Sequence, residues 1–192
     1  MRIFSLVPLF SLTAALSIGV AHGRECVGVA FPDQVQSEGG ALTLNGLGLR
    51  QATILKVDVY VAALYLTQTS SDADAILESN AAKELALQFV RDVGRDDLNE
   101  AWDVGFESNA KSQLPALEER IEAFKGFMTD VTTGQRLRFL YSPGAGTQVE
   151  VDGTVKGTIA GDDFARALLS IWLGSRPPNA DLKAGLLGGK CG

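Results

Sequence analysis

Leu55-Lys56-Val57-Asp58-Val59-Tyr60-Val61-Ala62-Ala63-Leu64-Tyr65-Leu66 puts Val57, Val59, Val61, Ala63 and Tyr65 on one side of an extended chain. Lys56, Asp58, Tyr60 and Ala62 fall on the other side, because successive strand side chains point to opposite faces. The first face is a core face. The second begins polar, which suits a strand bordering solvent or a ligand cleft. Upstream, Val27 to Phe31 and Ala41 to Leu44 read as a β region broken by a polar turn, and Gly46-x-Gly48 as a glycine turn leading to Arg50.

Downstream, Ser71-Asp72-Ala73-Asp74 marks the start of a short helix running to about Glu78. Glu84 to Val90 alternates as a strand. Asp96 is expected to cap a helix through about Lys111, with Leu98, Ala101, Trp102 and Gly105 on its apolar stripe. Pro115 suits a helix N-terminus, and Leu117, Ile121 and Phe124 follow at core spacing up to Gly126. A meander then runs through Leu137–Tyr141, Gln148–Val151 and Val155–Ile159. Asp152-Gly153 supplies the hairpin turn between the last two strands. Asp162 and Asp163 open a helix with Phe164, Ala167, Leu168, Ile171 and Trp172 inward, stopped by Gly174 and Pro177-Pro178. Asn179 is expected to cap a last helix through Lys183. The reading is α+β: an antiparallel β-sheet of about six to seven strands packed against a layer of helices.

Residues 1–23 read as a secretory signal peptide. Arg2 is followed by an apolar run from Ile3 to Val20 and by Ala21-His22-Gly23. Pro8 and the serines make the run a poor membrane span, and no other segment approaches the roughly 20 apolar residues a span needs. Residues 24–192 then form a single exported domain, with the periplasm as its expected destination. Removing Arg2 from the 17 basic side chains leaves 16 against 23 acidic ones, and the only histidine, His22, leaves with the signal. Histidine catalysis and a histidine metal site are excluded on that reading. Neither a metal nor a cofactor is expected. An acidic chain without a basic run argues against nucleic acid. Cys26 and Cys191 read as a disulfide joining the two ends in an oxidising compartment, two free thiols being the alternative.

Gly144-x-Gly146 and Asp152-Gly153 are turns, and Gly46-x-Gly48 precedes a strand rather than a helix, so none has the context of a nucleotide fingerprint. The acidic pairs at 96–97 and 162–163 sit at helix starts, where the dipole favours them. Trp102 and Trp172 read as core residues. What remains is Arg50, whose guanidinium can grip a carboxylate or enolate with paired hydrogen bonds, and Tyr60, a second donor on the polar side of the next strand. A solvated arginine and a packed tyrosine are the competing reading.

Gly28-Val29-Ala30-Phe31-Pro32, Leu44-Asn45-Gly46-Leu47-Gly48-Leu49-Arg50 and Lys56 to Leu66 together resemble the chalcone isomerase-like family in its bacterial, exported form. Gly134 to Tyr141, Val155 to Ile159 and Ile171-Trp172-Leu173-Gly174 before the proline pair agree in order. The resemblance implies a large antiparallel sheet on a helix layer with a ligand cleft between them. Plant enzymes of the family close a chalcone into a flavanone, using an arginine, threonine, tyrosine and asparagine set. By that resemblance the arginine falls at Arg50, the strand threonine at Tyr60, the helix tyrosine at Trp102 and the asparagine at Asn109. The late-helix threonine falls at Ile171. One lost donor to developing charge costs on the order of 10²–10³ in rate, so chalcone cyclisation is not expected. The Arg50 and Tyr60 pairing resembles instead the non-catalytic, fatty-acid-binding branch. The expectation is therefore a binding protein for a small amphipathic anion or lipid-like acid, with Arg50, Tyr60, Asn109 and Trp102 as ligand-binding residues. An enone isomerase or intramolecular lyase using Arg50 is the first alternative, and a structural or chaperone-like partner protein the second.

Overall fold

The computed structural model describes residues 23–192, so the expected signal peptide lies outside the described residues except for Gly23. Strands β1 (Gly23–Cys26) and β2 (Val29–Pro32) form a separate antiparallel pair. Seven strands then make one antiparallel sheet whose spatial order is their chain order. They are β3 (Gln34–Ser37), β4 (Gly40–Ala52), β5 (Val57–Leu66), β6 (Lys83–Phe89), β7 (Arg136–Ser142), β8 (Gly146–Val151) and β9 (Thr154–Ile159). Helix α1 (Ala73–Glu78) lies between β5 and β6, α2 (Arg95–Asn109) and α3 (Leu114–Gly126) between β6 and β7, and α4 (Asp162–Leu173) and α5 (Ala180–Leu186) follow β9. This is the expected α+β architecture, an antiparallel sheet with a helix layer.

Local chemistry accounts for most boundaries. The Asp72 carboxylate accepts from the amides of Asp74 and Ala75 and caps α1. Pro115 occupies the first turn of α3. Asp152 and Gly153 both take positive φ, 48° and 77°, as the tight β8–β9 turn requires. The expectation for α2 needs correction. Its N-cap is Gly94, and Asp96 lies inside the first turn, where it answers the dipole rather than capping. Ala101 is exposed, because the buried stripe runs through Leu98, Trp102, Gly105 and Phe106.

From Tyr60 to Leu66 both faces of β5 are buried, and only its first residues, Val57 to Val59, are partly exposed, so solvent borders no more than the start of the strand. Tyr60, Ala62, Leu64 and Leu66 enter the main core with Phe106, Phe124, Phe164 and Trp172 of the helices. Val61, Ala63 and Tyr65 enter a second core with Phe31, Leu42, Leu47 and Leu49, roofed by β1–β2. Tyr65 anchors that roof by donating its hydroxyl to the Pro32 carbonyl at 3.0 Å. A disulfide joins Cys26 to Cys191 with their Cα atoms 5.9 Å apart, so the ends of the described chain close together on this outer face. Helix α4 buries nine of its twelve residues. It is apolar nearly all round because α1, α2, α5 and the sheet surround it.

Candidate functional site

The glycines before Arg50 are not in a turn. Gly46 and Gly48 lie inside β4, on the face toward α5, and pair with Leu64 and Ala62 of β5. A Cβ on Gly46 would sit 2.1 Å from the Gly185 carbonyl oxygen, and one on Gly48 2.3 Å from that of Leu182. What the small residues admit is therefore the backbone of α5, which lies directly on the strand. Asn45, at a bulge in β4, fastens the C-terminal end of that helix. Its Nδ2 donates to the Leu186 carbonyl at 2.8 Å and to the Ser70 carbonyl at 2.9 Å.

Arg50 follows on the same face and pairs directly with Tyr60 across the ladder, so the two side chains share a side of the sheet. The other end of α5 is fastened here. Asn179 Oδ1 accepts from Arg50 Nη1 at 3.0 Å and from the Gln51 amide at 3.1 Å, and its Nδ2 donates to the Gln51 carbonyl at 3.0 Å. Asn179 is the N-cap residue of α5, as expected, and its carbonyl accepts the Lys183 amide at 3.2 Å, but its side chain makes no cap and is spent on β4 instead. Arg50 Nη1 also donates to the carbonyls of Gln51 and Pro178. Its Nε and Nη2 have no hydrogen-bond partner, and it has no ion pair, among the described residues.

The Tyr60 hydroxyl accepts the Trp172 indole N–H at 2.9 Å, and its own proton has no acceptor among the described residues. Burial pushes its pKa up to about 12, against smaller downward effects of the Trp172 hydrogen bond and the Arg50 charge. It is a donor, never a base, near neutral pH. Trp172 also lines a narrow apolar pocket of about 20 Å³, room for about one water, with Leu85, Phe139, Leu168 and Leu169. The pocket's lining contains neither Arg50 nor Tyr60, and Trp172 links it to Tyr60 through this hydrogen bond.

Trp102 and Asn109 are placed differently. Trp102 is buried edge-on against Phe124 and Phe139, at centroid distances of 5.5 and 5.9 Å, and 5.7 Å from Trp172. Its indole N–H is buried without a partner. Asn109 spends both ends of its amide on backbone. Its Nδ2 donates to the carbonyls of Gly105 and Arg176, and its Oδ1 accepts the Arg176 amide at 2.9 Å. It shapes the turn that carries Pro178 and Asn179 to Arg50. Ile171, where the resemblance leads one to expect a late-helix threonine, packs over Gly105.

Lys83 gave no sequence signal, yet it is buried at the rim of the apolar pocket. Its ammonium donates to the Ile76 and Ser79 carbonyls at 2.7 and 2.6 Å. Burial, aided by the Arg166 charge and opposed by Glu78, lowers its pKa to about 8.

A family model described as chalcone isomerase-like matches residues 23–188. No curated protein matches the chain. Among solved structures the chain is similar to a crystal structure of a fatty-acid binding protein from Arabidopsis thaliana. The TM-score is 0.68 at 17% sequence identity, over 86% of this chain and 96% of that one.

Proposed function

The chain belongs to the chalcone isomerase-like family, and on that premise we propose that it is an exported, non-catalytic binding protein for a small amphipathic carboxylate. Arg50 holds the carboxylate, Tyr60 supplies a second donor, and the apolar side chains between sheet and helices take the tail. The observation that carries this reading is a set of unspent donors on adjacent strands. Arg50 commits only Nη1 to protein acceptors, all of them neutral, which leaves the Nε–Nη2 edge whose fork matches a carboxylate. The Tyr60 proton, across the ladder, is equally uncommitted. The fatty-acid binding relative of shared fold supports the ligand class. Trp102, with its unpartnered indole N–H, is a further contact within the tail region, whereas Asn109 contributes by holding the turn behind Arg50.

Trp102 and Ile171 stand where the plant enzymes' resemblance expects hydroxyls, and neither can aim an O–H at developing oxyanion charge. That disfavours chalcone cyclisation. The test is native mass spectrometry and organic extraction of the purified protein, followed by titration of wild type and Arg50→Ala with palmitate. A bound monocarboxylate in the wild type, missing from a variant of unchanged circular dichroism, is the expected result. Equal palmitate affinity in both proteins would sink the assignment of Arg50. Turnover of a chalcone above the solution background, abolished in the variant, would move the function to the isomerase reading.

A further inference from the structure

The longest hairpin of the sheet ends in Thr53-Ile54-Leu55-Lys56. Ile54 is 98% exposed and Leu55 81%, more than any other large apolar residue described, the next being Val104 at 60%. The turn is closed by the Lys56 amide on the Thr53 carbonyl at 3.2 Å. Its flanking residues Thr53 and Lys56 hold positive φ of 62° and 50°, an arrangement that glycine or asparagine accommodates and a β-branched threonine resists. A turn of this kind is ordinarily filled with Gly, Asn, Asp or Pro. Between Thr53 and Lys56, aliphatic side chains occupy the apex at a cost in exposed apolar surface, and the fold draws no packing from them.

We propose that this tip is a membrane-touching element: Ile54 and Leu55 enter the boundary between headgroups and acyl chains of an anionic bilayer, with Lys56 beside the phosphates. Charge at the apex fits that occupant. The chain as a whole carries −6, but within the exposed apex itself the only charge is the Lys56 cation; of the flanking carboxylates Asp58 is engaged by Gln51 at 2.8 Å, and Asp181 lines the recess behind the turn. A juxtaposed cation and aliphatic pair is what an anionic lipid surface attracts. The apex is too small for a protein interface, which needs about 800 Å² from each partner. Insertion of one aliphatic side chain corresponds to about a tenfold or larger gain in partitioning, so two give reversible contact rather than permanent anchorage.

The experiment is flotation with vesicles of phosphatidylcholine containing phosphatidylglycerol, comparing wild type with the double variant Ile54→Asn, Leu55→Gly. Both replaced side chains are exposed and pack against nothing, so the melting temperature of the variant should stay close to that of wild type. Both proteins carry the same N-terminus, and the difference reads the tip alone. The expected result is a loss of vesicle binding of about tenfold or more in the variant, with weaker wild-type binding to pure phosphatidylcholine. Equal flotation of both proteins overturns the proposal. So does a wild type that ignores vesicles but self-associates with rising concentration through the same two residues. Arg50→Ala should float like wild type, which keeps this result separate from the ligand assignment. If the double variant fails to fold, Ile54→Ser alone serves with the same readout.

Discussion

Trp172 donates its indole N–H to the hydroxyl of Tyr60 at 2.9 Å, tying the last turn of α4 to the centre of the sheet. Both residues are buried. The bond fixes Tyr60 as an acceptor toward the helix, so the only proton it can offer points elsewhere. It also gives Trp172 two duties, since the same indole walls the apolar pocket.

A double-mutant cycle of Trp172→Phe and Tyr60→Phe tests that bond. Each single change should lower the unfolding free energy by about 1–3 kcal/mol, because each leaves a buried polar group without its partner. The coupling should be about 0.5–1.5 kcal/mol. Urea unfolding measures it, and additive single effects would mean that the bond does not form in solution.

Gly48→Ala should destabilise by about 1–3 kcal/mol through overpacking, because the new methyl meets the α5 backbone at Leu182. Displacing α5 also disturbs Asn179 and its hold on Arg50, so ligand affinity should fall with stability. Gly126→Ala, whose Cβ would meet nothing within 4 Å, is the matched control and should change stability little. A tolerant Gly48 would show that α5 does not sit on β4 as described.

Reduction should weaken the fold markedly. The Cys26–Cys191 bridge spans a sequence separation of 165, and the chain-entropy model allows about 5 kcal/mol for a loop of that length. Paired Cys26→Ser, Cys191→Ser replacement should lower the melting temperature and free β1–β2 first, which amide exchange at Val29 and Phe31 would detect. Unchanged exchange there would place the stability of the roof in its apolar contacts alone.

The lowered pKa of Lys83 makes a signed prediction. Its folded value is about 8 against an ordinary 10.5, so between those values the unfolded chain binds more protons and stability rises with pH. Below about pH 8 both states are protonated and the full penalty remains. The gain should be on the order of 1–2 kcal/mol, after allowance for partial solvent contact. Denaturant unfolding between pH 7.5 and 9.5 measures it, ahead of the window in which Tyr60 and Tyr65, both raised, oppose it. Lys83→Met should flatten the slope. A wild-type stability that falls across this range, unaltered by the substitution, would contradict the burial of the ammonium.

Much of the architecture was legible in local patterns. Alternation over 57–66, the Asp72 cap, Pro115, the Asp152-Gly153 turn and the apolar stripe of α4 are short-range physics, decided within a few residues. The disulfide was legible from the placement of two cysteines. The candidate site was legible only in outline, because Arg50 and Tyr60 sit in neighbouring strands whose pairing follows from one hairpin. Lys83 was not legible at all. A lysine at a strand end looks solvated until α1 turns its carbonyls toward it.

The limit has a common cause. Period-two alternation says which residues share a face, and nothing about what covers that face. Gly46 and Gly48 looked like a turn and proved to be the bed of α5; Asn179 caps α5 by position, yet its side chain proved to be a clasp on β4. Sequence by itself determined most of the elements and their order, though not β1 or β3, together with the family and the residue types available for an anion. Tertiary structure alone decided which donors are spent and which are free. Those bonds join residues 129 apart at Arg50–Asn179 and 112 apart at Tyr60–Trp172, and only the packing of helices on the sheet brings such distant residues within reach.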